Sequence, residues 1–377
     1  MKKVVVLGGG VGGTIVANLL AKRLRPDEVD ITLIDSSGKH VYQPGFIYVA
    51  FGKLNPKKLV RDERKLLRKR VKLVIGEVVK IDAENHKVHL SDGRMLDYDR
   101  LVVALGARLV PAELPGYGEA AQHFYSIEAA LRLREALEKF RGGKVVVTVA
   151  SVPYKCPPAP SEAACQLDYY YTRKGIRDKL EIHYLSPLSR VFPLEPVNPV
   201  VERIFAKHKI QSTIFFNVES IDPAKKVVNS IEGESIQYDM LIMIPPHRGA
   251  KAVEDSGLGD RGGWLPTDKY TLRTKAHSDI FALGDCTDIP VSKSGAAAHF
   301  EAKVVADSIV ADLRGEQPTM KYDGRVTCYC DAGYHKGFSM TFDYEHPPVP
   351  PPLSLKGWIG KQMINKGYWY LVPKGRV

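Results

Sequence analysis

The chain opens on an unbroken apolar run, Val4 to Leu7, which stops at glycines and passes into TIVANLLAKRL (14–24), where apolar residues recur at helical spacing. A second strand-like run, DITLID, follows at 30–35. Unbroken apolar runs that alternate with helical segments predict buried parallel strands joined by crossover helices. The segment 71–106 then reads as short strands with turns at Glu84–Asn85 and Asp92–Gly93. The succession recurs downstream. A helix is predicted at 126–140, a strand at 144–150, a helix near 162–174, a strand at 181–187 and a helix at 201–210. Strands follow in STIFFNVESI (212–221), KVVNSI (226–231) and DMLIMIPP (239–246), then SDIFALGD (278–285) and a helix at 294–313. The expectation is an α/β protein with two Rossmann-like nucleotide-binding domains, the second inserted in the first. The first comprises 1–108 and 246–318, the second 109–245, and a C-terminal region covers 319–377. Residues 40–54 read as a loop or short helix. KKLVRDERKLLRKRVK (57–72) has helical periodicity and reads as a solvated helix face, with attraction to anionic lipid as the alternative.

The ends of the strands carry the candidate chemistry. Gly8, Gly10 and Gly13 form G-x-G-x-x-G between a strand and a helix, and Asp35 ends the next strand. Glycine lets the backbone approach a pyrophosphate seated on the helix N-terminus, and the acid binds a ribose hydroxyl. The strand KVVVTVA (144–150) ends differently, in SVPYKCPPAPSEAA. Pro153, Pro157, Pro158 and Pro160 have no backbone N–H to donate, and no glycine is present. That argues against a second pyrophosphate site, hence against NADH as electron donor, and frees Cys156.

The net charge of +11 comes without a nucleic-acid-binding motif, so nucleic acid is not an expected partner. No run approaches the ~20 apolar residues of a spanning helix. The first strand starts at Lys2, so a cytoplasmic protein without a cleavable leader is expected. The five cysteines are too few and too scattered for a disulfide framework and lack zinc spacing, so no metal is expected. Cys165 and Cys286 read as buried, and Cys330 as a strand neighbour of Cys328 that could point away from it.

Two further segments extend the glycine motif. FALGDCTD (281–288) and LDYDRLVVALGARLVP (96–111), which contains Gly106, resemble the second and third signatures of two-dinucleotide-binding flavoproteins, in the family's order. The resemblance implies FAD, with Gly284–Asp285 at the ribityl and phosphate and the backbone of Val78 or Val79 at adenine. In covalently flavinylated relatives a cysteine in the 40–54 region attaches FAD. None is present here, so the FAD is expected to be non-covalent. KCPPAP (155–160) with Glu162, and TCYCDAG (327–333), resemble the sulfide:quinone oxidoreductase and flavocytochrome c sulfide dehydrogenase family, as do PPHRG (245–249) and GWLPTDKYTLRT (263–274). The resemblance implies Cys156 and Cys328 as a redox pair that oxidises sulfide, with electrons leaving through FAD to a quinone. Many members carry a third cysteine before the CPPAP strand, and HFYSIEAA (123–130) has none. Glu162 reads as a proton carrier near Cys156 or as a plain helix N-terminal acid. Lys293 and Lys361 are candidates for flavin or quinone contact. A flavin subunit passing electrons to a cytochrome, and a non-catalytic flavoprotein that binds a partner, stay open as alternatives. A homo-oligomer also stays open.

FDYEHPPVPPPLSLKGW (342–358) is proline-rich and reads as extended. The tail after it mixes Trp358, Ile359, Met363, Ile364, Tyr368, Trp369, Tyr370 and Leu371 with Lys356, Lys361, Lys366 and Lys374. That mixture suits either a peripheral membrane surface or a segment packed on the core.

Overall fold

The computed structural model describes residues 1–375. Of the C-terminal region read at 319–377, residues 376 and 377 lie outside the described residues. Two five-stranded parallel sheets carry the fold. The first has the order Ile280–Ala282, Arg100–Val103, Lys2–Leu7, Val29–Asp35, Lys72–Ile75. Val4 and Val6 pack under the helices Val11–Arg23 and Gly295–Arg314, while Val5 and Leu7 pack under an antiparallel sheet built from Val78–Asp82, Lys87–Leu90 and Met95–Asp97. With both faces covered, the strand has no polar side to alternate with, hence its unbroken apolar run.

The second sheet repeats the plan. Its order is Ala121–Gln122, Met240–Ile244, Gly143–Val149, Leu180–Leu185, Ile210–Thr213. An antiparallel sheet of Val218–Asp222, Val227–Ser230 and Ser235–Gln237 covers one face, and the helices Ala159–Arg173 and Asn198–Lys207 lie on the other. The strands Ala107–Leu109 and His247–Gly249 pair antiparallel where the chain leaves the first half and returns to it. Gly249 has to be glycine there, because a Cβ would meet Gly263 O at 1.7 Å. A hairpin, Val326–Asp331 with Gly337–Phe342, and a last helix, Leu355–Leu371, finish the fold.

Four expectations are corrected. Residues 57–72 form no helix. The segment breaks into 3-10 turns at Pro56–Leu59 and Glu63–Lys65 around a strand, Val60–Asp62, that pairs with Lys39–Val41. Asn55 and Asp62 each accept the N–H two residues on, which starts each turn. Glu63 is drawn fully inside, where it pairs with His40 and Thr14. The 212–221 strand is two strands, split where Phe215 takes φ +54° and stands exposed. The helix read near 162–174 begins at Ala159, because Pro160 falls in its first turn, where no N–H is needed. The helix read at 201–210 runs Asn198–Lys207 and stops before Lys209, at φ +51°.

Candidate active site

The first strand ends at Gly8, with φ +99°, where a Cβ would meet Ala104 O at 2.4 Å. A Cβ at Gly13 would meet Gly8 O at 2.0 Å. Both glycines let the helix start hard against the strand. Gly10 differs, since nothing lies within 4 Å of a Cβ built on it. It caps the helix Val11–Arg23 with backbone alone and no side-chain hydrogen bond. The first N–H groups of that helix therefore face outward with no side chain to satisfy them. Asp35 sits beside them, its Oδ2 accepting Gly9 N at 2.9 Å and its Oδ1 accepting Gly38 N at 2.7 Å. This donor set, with a fixed acid next to it, fits the dinucleotide expected from the sequence.

The other predicted cofactor contacts border the same sheet. Val78 begins its strand half-buried against the core that contains Leu7 and Ile34. Gly106 takes φ +69° with open space around a built Cβ. Gly284, φ +75°, donates its N–H to buried Glu301. Burial pushes the Asp285 carboxyl up, and Lys155 and Lys293 pull it back. Lys293 Nζ donates to Thr287 O at 2.6 Å and Asp285 O at 3.2 Å and lies 3.8 Å from the Trp264 ring centre. Its backbone O accepts Cys156 N at 2.8 Å. The cysteine loop of the second half is thus tied directly to the cofactor side of the first.

Cys156 has φ +52°, a left-handed backbone rare for a side chain of this kind. The residue is accessible, yet neighbouring groups crowd the sulfur itself, and that burial pushes its thiol up to about 11. Cys328 is half-buried on the hairpin strand, and burial followed by the Cys156 charge pushes its thiol up to about 12. Lys361 opposes both shifts. All five cysteines are free thiols. Cys328 and Cys330 lie two apart on a regular strand, facing Met340 and Phe338, so they leave it on the same side. This decides the orientation of Cys330, which the sequence left open. Cys330 is buried and lines a small cavity with Glu162 and Cys165.

Behind the thiols lies a buried acid–base cluster. Glu162, in the first turn of the helix Ala159–Arg173, is buried and its carboxyl is pushed up by that burial. Lys361 Nζ, on the last helix, stands 3.7 Å from it and donates to Tyr329 O at 2.9 Å. Burial works against the Lys361 charge, but Glu162, Tyr48 and Tyr42 carry its pKa well above the ordinary value. Asp331 N donates to Glu162 at 3.3 Å, Tyr48 OH donates to Asp331 Oδ2 at 3.2 Å, and Gln166 Nε2 donates to Asp331 O at 2.9 Å. Lys53 donates to Gln166.

The sequence-predicted residues therefore fall into two neighbouring groups, the glycine cradle and the cysteine crevice. Grouping Lys361 with the surface lysines of the tail is corrected, because it is held inside among the thiols and Glu162. Tyr368 and Trp369 are also buried, Tyr368 OH lying 2.6 Å from His40 Nε2. Sequence reasoning missed Lys53, Tyr48, Gln166 and Asp331. Of these only Asp331 lay in a quoted motif. The other three come from segments read as loop or as ordinary helix, and nothing in their local pattern marks them.

Residues 2–302 match the pyridine nucleotide-disulphide oxidoreductase family. The chain is 26% identical over 358 residues to the mitochondrial sulfide:quinone oxidoreductase of Mus musculus, covering 92% of this chain and 79% of that one. It is 27% identical to the sulfide-quinone reductase of Aquifex aeolicus, covering 96% and 87%. The crystal structure of the sulfide:quinone oxidoreductase from Aquifex aeolicus superposes with a TM-score of 0.90 at 24% identity, covering 100% of this chain and 92% of that one.

Proposed function

Because the chain belongs to the pyridine nucleotide-disulphide oxidoreductase family, whose members are FAD-dependent oxidoreductases, we propose that it oxidises sulfide through Cys156 and Cys328 and passes the electrons to a membrane quinone. The observation that carries this reading is the placement of two thiols from separate elements around one buried ion pair, with Cys156 N bound to Lys293 O on the cofactor side and Lys361, 3.7 Å from Glu162, bound to Tyr329 O beside Cys328. In the oxidised enzyme the pair forms a disulfide. Hydrosulfide attacks one sulfur, the S–S bond breaks, one cysteine keeps the new sulfur as a persulfide, and the other leaves as a thiolate. Glu162 takes the persulfide proton, a role its raised pKa suits. Lys361 lowers the cost of each anion in turn. Bound FAD supplies a two-electron acceptor that a quinone can reoxidise. Overall one hydrosulfide becomes zero-valent sulfur, extended on the cysteines as polysulfide, and its two electrons reach the quinone with its one proton and a second proton taken from water.

The membrane part of the reading rests on the last helix. Leu355, Ile359, Met363 and Tyr370 stand exposed on one stripe, flanked by Ile364 and Leu371, with Lys356 and Lys366 beside them. Met363 is 67% and Tyr370 60% exposed. No described helix is long and apolar enough to cross a membrane, so attachment would lie along the surface. The deciding experiment is an anaerobic titration of the purified protein with sulfide, then decylubiquinone, following the flavin spectrum. Sulfide should bleach the flavin and the quinone should restore it. A flavin that sulfide leaves oxidised ends the proposal, and one bleached by sulfide but restored only by a cytochrome ends the quinone part.

A further inference from the structure

The last helix ends beside the basic segment 57–72, and the two enclose a surface pocket lined by Val60, Arg61, Lys65, Trp369, Tyr370 and Lys374, with Asp62 and Leu66 completing it. The Arg61 guanidinium lies 4.7 Å from the Trp369 ring centre and 5.6 Å from that of Tyr370. Among the described residues, Arg61, Lys65 and Lys374 form no ion pair. Asp62 is the pocket's one carboxylate, and it is engaged with Arg64 N at 2.9 Å. Three cations therefore share the pocket with one carboxylate, and the positive charge left over is relieved when an anion joins them. The two rings supply an apolar floor and hold the guanidinium plane in place. Tyr370 also belongs to the exposed stripe of the helix, so the pocket opens beside the surface assigned to the membrane.

We propose that this pocket binds the phosphate of an anionic membrane lipid, resting on the reading of the last helix as the membrane-facing element. Arg61, Lys65 and Lys374 hold the phosphate oxygens, and Trp369 and Tyr370 take the glycerol and upper acyl carbons. A phosphate monoanion or diester matches Arg61 as a forked donor and the two lysines as point charges. The surplus of basic residues, which no nucleic-acid motif explains, thereby has a place to act. The lipid so held would sit at the end of the helix whose inner face carries Lys361.

The test is flotation of the FAD-loaded protein with phosphatidylcholine vesicles, with and without phosphatidylglycerol. The wild type should bind the anionic vesicles more tightly. Arg61→Gln/Lys65→Gln/Lys374→Gln should weaken that binding by about 100-fold, roughly fivefold for each cation lost. Because Arg61 stacks on a buried ring, Lys65→Gln/Lys374→Gln serves as a second variant at two exposed positions, and retained flavin absorbance reports the fold of both. Lys80→Gln/Lys207→Gln/Lys321→Gln removes the same charge elsewhere and should bind as wild type. Equal loss in that control means diffuse charge attraction and overturns the pocket. Wild-type binding by the pocket variants overturns it while leaving the membrane reading intact. A wild type that floats with neither vesicle ends the membrane reading itself. Inorganic phosphate that shifts tryptophan emission in the wild type, while the pocket variants bind vesicles unchanged, assigns the site to a soluble phosphate and overturns the lipid.

Discussion

The two halves of this molecule share one plan, a five-stranded parallel sheet with a three-stranded antiparallel flap, yet their first crossover turns are opposites. In one half the strand ends on Gly8 and Gly10 and the helix N–H groups are left open. In the other the strand Gly143–Val149 ends on a proline segment, and the helix begins inside it, at Ala159. The sheet topology sends both strand ends to the same kind of crevice. What sits there depends on local backbone chemistry: glycines expose donors for a phosphate, whereas prolines remove donors and leave room for a thiol. A fold of this kind fixes where chemistry happens and leaves open which chemistry it is.

The sharpest way to break the comparison is at the sulfurs. Cys156→Ser and Cys328→Ser should each cut sulfide-dependent quinone reduction by ~10⁴-fold or more while the flavin stays bound, as expected for loss of a covalent nucleophile. Cys330→Ser should do far less. If it costs as much as Cys328→Ser, the redox partner on the hairpin is Cys330. The next test addresses the turns themselves. NADH should leave the flavin oxidised over the time in which sulfide bleaches it, because the proline turn offers no pyrophosphate donors. Bleaching by NADH at comparable speed would make the two turns functionally alike.

Two buried glutamates, Glu162 in the cysteine half and Glu301 in the cofactor half, sharpen the contrast. Glu162→Gln should lower kcat by ~10²-fold with FAD retained. Glu162 must be deprotonated to accept a proton, so the wild-type rate should rise with pH through a value above the ordinary carboxylate range, and the variant should lose that limb. Glu301, beside the glycine turn, has no lysine within ion-pair distance among the described residues, and burial pushes it from 4.5 to about 7. Folding favours its protonated form. The stability this contributes is fully present below pH 4.5 and is lost as pH rises through about 7. Glu301→Gln should remove that slope, a difference on the order of 3 kcal/mol across the window at most. Urea unfolding of both proteins at several pH values measures it, and parallel curves would remove Glu301 from the account.

Much of this was legible beforehand because buried parallel strands write themselves as apolar runs and glycine turns have few substitutes. The strands, the crossover helices and the glycine cradle could be read locally, whereas the pairing of Cys156 with Cys328 came only from the family resemblance. Residues 57–72 misled because Leu59, Leu66, Leu67 and Val71 are all buried, at spacings close to helical. The deciding partner of Glu63 was His40, a long-range pairing no window contains. Lys361 was named as a candidate contact, but its carboxylate partner was equally beyond any local window. In the sequence it is one of several lysines among aromatics, and only the hairpin and Glu162 select it. Cys330 was undecided until the strand proved regular as far as Asp331.

The pairing of the two chain ends has a consequence for biosynthesis. Asn18, on the glycine-motif helix, donates to Pro373 O at 2.8 Å across 355 residues, and His40 meets Tyr368 across 328. A ribosome releases the amino-terminal unit long before its last partners exist. While synthesis continues, Asn18 has only Leu66 O and Arg68 N, and His40 only Thr14 and Glu63, so one donor or acceptor of each still waits for its distant partner. Completing the glycine-motif helix therefore waits on the segment around Pro373, so the earliest helix of the fold is among the last elements to gain its full set of partners.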